Sequence, residues 1–241
     1  MKNSISIVIA TLNCENLIED CIKSIRLCCS GDVEIIVQDG GSTDRTLKIL
    51  QALDVNFASE KDDGIYDAFN KAVKRVKTKW VLFLGADDKL LVNPNRLIHS
   101  IDELSFCVVY ANVINGDTGV VYDGRFTKFK LSRKNICQQA ILYPASIFCD
   151  VNFDLRYKYL ADYDFNMKLK KMELPFVYVN ECLTLYGNAG LSKQGDQVFE
   201  KEKNIKVIKY LGISVFLIYF QYVFLKKIYR YMYKILRPNF M

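Results

Sequence analysis

Trp80-Val81-Leu82-Phe83-Leu84-Gly85-Ala86-Asp87-Asp88 decides the fold: a buried apolar strand that ends abruptly in two adjacent carboxylates. A strand end is a rigid place from which to present charge, and neighbouring acids repel unless a cation or hydrogen bonds offset them. Upstream, Val33–Gln38 reads as a second apolar strand running into Asp39-Gly40-Gly41-Ser42-Thr43-Asp44. Two strands that each deliver an acidic cluster into a loop are the arrangement expected of a site holding a metal and a phosphorylated ligand.

Outward from these strands the first half alternates strand and helix. Ser4–Ala10 reads as a β-branched central strand, with Asn13 predicted to cap a helix carrying Leu17, Cys21, Ile25 and Cys28 at helical spacing. A helix from about Thr43 to Ala52 follows, then a short strand near Val55–Ala58 and an amphipathic helix over Ile65–Val76. This rhythm predicts a mostly parallel sheet with ligands beyond the carboxyl ends of its strands, where both acidic clusters lie. Phe106–Val113 and Val120–Tyr122 predict a hairpin around Asn115-Gly116-Asp117. A loop is expected through Arg133–Gln139, and Leu160–Lys171 reads as a helix with Asp162 and Asp164 in its first turn.

With 51% apolar residues, 241 residues can bury a full core. The net charge of +6 is uneven: from Lys201 onward nine Lys or Arg face one Glu, so the rest is nearly balanced, which argues against a general nucleic-acid surface. The eight cysteines form no C-x-x-C pair, which predicts free thiols in a reducing cytoplasm. The start runs straight into a strand, so no signal peptide is expected. Leu211–Leu225 is apolar and aromatic apart from Gly212, Ser214 and Gln221, and Lys226, Lys227, Arg230, Lys234 and Arg237 follow among tyrosines. Such a run is too short to span a bilayer and fits a helix lying at the membrane interface; a terminal helix docked on the domain, or a dimer contact, is the alternative.

In order along the chain, these segments resemble family 2 glycosyltransferases. Ile7–Asn13 looks like that family's first strand, Asp39–Asp44 like its Asp-Gly-Ser-Ser-Thr-Asp loop, and Ser59–Lys71 like a segment of bacterial polysaccharide-assembly members. Ala86-Asp87-Asp88 resembles the Asp-x-Asp metal motif, and Leu160–Asp164 sits where the family has Glu-Asp. The resemblance implies a single α/β, Rossmann-like nucleotide-sugar-binding domain of GT-A type over residues 1–200, with a mixed central sheet and an amphipathic helical tail over 201–241. It further implies a divalent metal (Mn2+ or Mg2+) on Asp88. Nucleotide contacts would come from Thr11, Asp39, Ser42, Asn70 and Asp87, and the catalytic base would be Asp162. Tyr66, Asp67, Gln138 and Gln139 would line the sugar or acceptor side, and Gly190-Leu191-Ser192 would close over the donor. The partners implied are a UDP-type sugar donor, a polyprenyl-diphosphate-linked glycan acceptor and the cytoplasmic face of the inner membrane, in polysaccharide or O-antigen assembly.

Ala161 stands where many relatives have Glu, and Gln138 where close relatives often have His. Taken alone, Asp87-Asp88 also suits a turn, Asp39–Asp44 a helix cap, and Asp162 and Asp164 compete for the base. The single histidine, His99, has no ligand spacing around it. A silent sugar-nucleotide-binding module is the rival to the enzyme. A doubly wound oxidoreductase is disfavoured, because no Gly-x-Gly-x-x-Gly follows the first strand.

Overall fold

The computed structural model describes residues 5–31, 33–99, 101, 106–122, 124–187 and 195–236. Among the described residues, nine strands form one mixed sheet: β1 (Ile5–Thr11), β2 (Val33–Asp39), β3 (Asn56–Ser59), β4 (Trp80–Gly85), β5 (Lys89–Leu90), β6 (Val108–Asn115), β7 (Val121–Tyr122), β8 (Ile141–Pro144) and β9 (Phe176–Tyr186). Their order is β3-β2-β1-β4-β8-β6-β9-β5, with β7 paired to β6. The first four run parallel, and β8 enters antiparallel between β4 and β6. Register then aligns the site: Thr11 lies opposite Asp39, Ala10 opposite Gly85, and Asp39 opposite Ser59. The acidic loops after β2 and β4 therefore leave the same edge of the sheet.

Alternation along β1 and β4 builds a core on each face, as a pleated strand requires. Ile5, Ile7, Ile9, Leu82 and Leu84 face α1 (Ile18–Cys29) and α2 (Thr46–Ala52). Val8, Val81 and Phe83 face α3 (Ile65–Ala72) and α6 (Ala161–Lys171). There Phe83, Phe148, Phe153 and Phe165 interlock, with Phe148 and Phe165 stacked at 5.2 Å and Phe153 tilted against Phe165 at 4.8 Å. Burying each ring contributes about 2–3 kcal/mol, and the cluster fixes the first turn of α6.

Several expectations change. Asn13 does not cap a helix: α1 begins at Ile18, and the Asn13 side-chain oxygen instead accepts from Thr43 N. α2 begins at Thr46, whose N–H is taken by Asp44. α4 (Asn95–Ile98) is a short helix, and α5 (Lys128–Arg133) runs up to the start of the loop expected through Arg133–Gln139. The boundary expected between residues 200 and 201 falls inside α7 (Gln197–Lys206). That helix and the following turn Val207–Leu211 pack on the core through Phe199 and Leu211, and Val207 is buried. Beyond Gly212, α8 (Ile213–Leu236) is half-buried at Val215, Phe216, Tyr219, Tyr222 and Val223, and its other residues up to Tyr233 are exposed. No helix among the described residues is long and apolar enough to cross a membrane. Ser4, Arg237 and Gly190-Leu191-Ser192 lie outside the described residues.

Candidate active site

Asp39 organises the first loop. Its Oδ2 accepts from Gly41 N, Ser42 N and Ser59 Oγ, and its Oδ1 from Ser42 Oγ. Ser42 Oγ in turn accepts from Asn13 N at 2.7 Å. Both residues, expected to touch a nucleotide, thus first hold the loop together. Asp62 presses its carboxylate on Gly40, where an added Cβ would sit 2.6 Å from Asp62 Oδ2. Burial raises the pKa of Asp62. Thr11, opposite Asp39 in the sheet, is buried, and its hydroxyl has no partner among the described residues. A buried, unpaired hydroxyl costs free energy unless a ligand meets it.

The β4 carboxylates form the second part. Asp88 is 1% exposed; its oxygens accept from Gly85 N (2.6 Å) and from Gly187 N (3.1 Å), which the end of β9 delivers. Burial first, then the adjacent Asp87, pushes the Asp88 carboxyl up to about 7, against hydrogen bonds from those two N–H groups and Gln139. Asp87 is half-buried and wedged against Gly187, where any Cβ would collide with its carboxylate. Two adjacent, crowded carboxylates, one of them buried, are a donor set that fits a hard divalent ion. No group of three or more His, Cys, Asp or Glu gathers among the described residues. An ion on Asp87 and Asp88 would take its remaining ligands from water and substrate phosphates, as magnesium-type sites do.

Asp162, at the start of α6, forms the third part. Its Oδ1 accepts from Tyr66 OH (2.8 Å) and Tyr163 N (2.9 Å), and its Oδ2 from Asn135 Nδ2 (2.6 Å). A carboxylate only accepts, so it sets the amides behind it. Asn166 Nδ2 donates to Asn135 Oδ1 at 2.9 Å, and Tyr143 OH to Asn166 Oδ1 at 2.9 Å. Burial raises the Asp162 carboxyl to about 6, with the hydrogen bond from Tyr66 opposing it most. Asp164 is excluded from the competing role: wholly buried, it is ion-paired with Lys206 at 2.5 Å and Lys168 at 2.6 Å.

One short segment joins the two centres. Asn135 holds Asp162, Gln139 hydrogen-bonds Asp88, and Cys137 between them donates to Gln139 Oε1 at 2.9 Å. Burial raises the Cys137 thiol, and the charges of both Asp88 and Asp162 add to the rise. The buried Gln138 Nε2 in the same segment has no partner among the described residues.

Three of the expected contact residues have internal partners. Asn70 donates to Phe153 O and accepts from Phe153 N, pinning the stretch before α6. Asp67 pairs with Lys71 at 3.0 Å and accepts from Asp63 N. Tyr66 is 7% exposed and acts on Asp162. Asn135, Asn166, Asp62 and Gly187 were not singled out from sequence; single polar residues or glycines in loops and helix interiors carry no spacing signal.

Residues 6–164 match the profile of Glycosyl transferase family 2. The chain belongs to that family. It is 34% identical to a PGL/p-HBAD biosynthesis glycosyltransferase of Mycobacterium tuberculosis, over 88% of each chain. Among solved structures, S. aureus TarS 1–349 in complex with UDP aligns with a TM-score of 0.64 at 17% identity, covering 88% of this chain and 71% of that one. Glucosyl-3-phosphoglycerate synthase from M. tuberculosis, in complex with Mn2+, UDP and glucosyl-3-phosphoglycerate, aligns with 0.62 at 17% identity, covering 86% and 80%. The fold is thus GT-A, and the family 2 chain is a glycosyltransferase.

Proposed function

We propose that this family 2 enzyme transfers a sugar, with inversion, from a UDP-sugar to a lipid-linked glycan at the cytoplasmic face of the inner membrane, in cell-surface polysaccharide assembly. The observation that carries the reading is the Asn135–Gln139 segment, which ties a buried carboxylate near pKa 6 to a carboxylate pair one loop away.

In this reading the nucleotide lies along the strand ends, with Thr11 Oγ1 and the Asp39–Ser42 loop as contacts and Asp87 reaching the ribose. Asp87 and Asp88 would hold a Mn2+ or Mg2+ ion, which would supply Lewis-acid stabilisation to the departing diphosphate. Asp162 accepts the proton of the acceptor hydroxyl as that oxygen bonds the anomeric carbon and UDP leaves from the opposite face. Tyr66 and Asn135 hold the carboxylate in place, keeping one geometry for the incoming hydroxyl. Gln138 offers its unpaired N–H to the sugar or acceptor.

A labelled UDP-sugar transfer assay, run with metal and with chelator, tests this. Asp162→Asn is expected to lose about 100- to 10,000-fold in turnover while binding the donor as before. A silent binding module would show no turnover to lose, and full transfer under chelator would remove the metal from Asp88.

A further inference from the structure

The C-terminal end of α5 and the inner side of α8 enclose a groove of about 300 Å³ that the transfer chemistry does not use. Five cations line it: Arg133 and Lys134 from the α5 side, and Lys226, Lys227 and Arg230 from α8. No acidic side chain lines it. Rings set some of these cations in place. Arg133 donates to Tyr222 OH at 2.8 Å and stacks 4.0 Å over that ring, while Lys134 Nζ sits 4.0 Å from the Tyr122 ring centroid. Five like charges around one concavity repel one another and focus a field that an anion of two or more charges relieves.

Two features say which anion. Lys134 directly precedes Asn135, the residue whose amide holds Asp162, so one backbone step links the groove to the proposed base. Ile213, Leu217, Phe220, Phe224, Ile228 and Tyr231 recur at helical spacing on the face of α8 away from the groove, and all are exposed. A helix with cations inward and an apolar face outward suits the membrane interface, which would set the groove at headgroup depth.

We infer that the α5–α8 groove binds the diphosphate of a membrane-lipid carrier, placing the glycan on that carrier against Asp162. This rests on the reading of Asp162 as the base for a lipid-linked acceptor.

The test is co-sedimentation of the full chain with phosphatidylcholine vesicles carrying either a polyprenyl diphosphate or phosphatidylglycerol at equal total charge. The wild-type chain is expected to bind the diphosphate vesicles about tenfold more tightly, and K226A/K227A/R230A to lose that preference. The charge-matched set K48A/K74A/K77A, on exposed lysines elsewhere, is expected to keep it. Equal binding of both vesicles by wild type would mean general attraction to anionic membranes and would overturn the inference. So would a preference surviving the triple substitution, or one lost equally in the control set. Acceptor-free hydrolysis of the UDP-sugar by the wild-type chain separates the two readings. Hydrolysis without lipid preference sinks the groove alone, and preference without hydrolysis or transfer keeps the groove and sinks the enzyme assignment.

Discussion

Asp162 is held by partners that act on its charge in opposite directions. Burial favours its neutral form, while Tyr66, Asn135 and the Tyr163 N–H favour the carboxylate, leaving it near 6. Only the ionised form can accept a proton. kcat/KM is therefore expected to fall about tenfold per pH unit below about 6 and to level off above it. Tyr66→Phe removes a hydrogen bond that favours the charged form, so the acid limb should move to higher pH; a pH–rate profile with the limb unmoved or lowered would contradict the assignment. At this scale the sequence revealed the carboxylates but not their supports. Asp39, Asp88 and Asp162 stood out because acids at strand and helix ends form a pattern. Asn135 and Asn166 matter only because α6 and the segment after α5 meet in space, and a helix-borne amide such as Asn70 looks the same whether it faces ligand or backbone.

Among the elements, α6 carries Asp162 and is fixed from both sides. The aromatic cluster holds it against the sheet, and the buried pair of Asp164 with Lys206 ties it to α7. Lys206 is 5% exposed; burial works against its charge, and Asp164 and Tyr157 more than restore it. Lys206→Met leaves Asp164 with Lys168 alone, and a loss of about 3 kcal/mol is expected in denaturant unfolding. Lys168→Met, at the more exposed end of the same cluster, should cost about 1 kcal/mol; equal losses would contradict the distinction between buried and half-exposed partners. The parallel half of the sheet was legible because β1, β2 and β4 are unbroken apolar runs separated by helical spacing. The antiparallel half was not. β8 is four residues ending in proline, and β9 is half-buried with register shifts against β6, which blur the two-residue period. Yet β9 delivers Gly187 to Asp88, so an illegible strand completes the most legible motif.

On the scale of the whole molecule, one GT-A domain runs through Leu211 and α8 lies against it. Basic-aromatic composition sets the tail apart in the sequence, but it could not show that α7 packs into the core through Phe199. A chain ending after Gly212 is expected to unfold within a few degrees of the full chain and to keep UDP binding, while losing vesicle co-sedimentation; loss of the folded state would place α8 inside the cooperative unit. The central claim is a division of labour across one cleft: Asp88 serves the metal and diphosphate, Asp162 the acceptor proton. Calorimetric titration of UDP with and without Mn2+ into wild type, Asp88→Asn and Asp162→Asn tests it most directly. The account predicts that Asp88→Asn loses the manganese-dependent gain in affinity and Asp162→Asn retains it in full. Undiminished manganese-dependent binding in Asp88→Asn, or an equal loss in both variants, would contradict it.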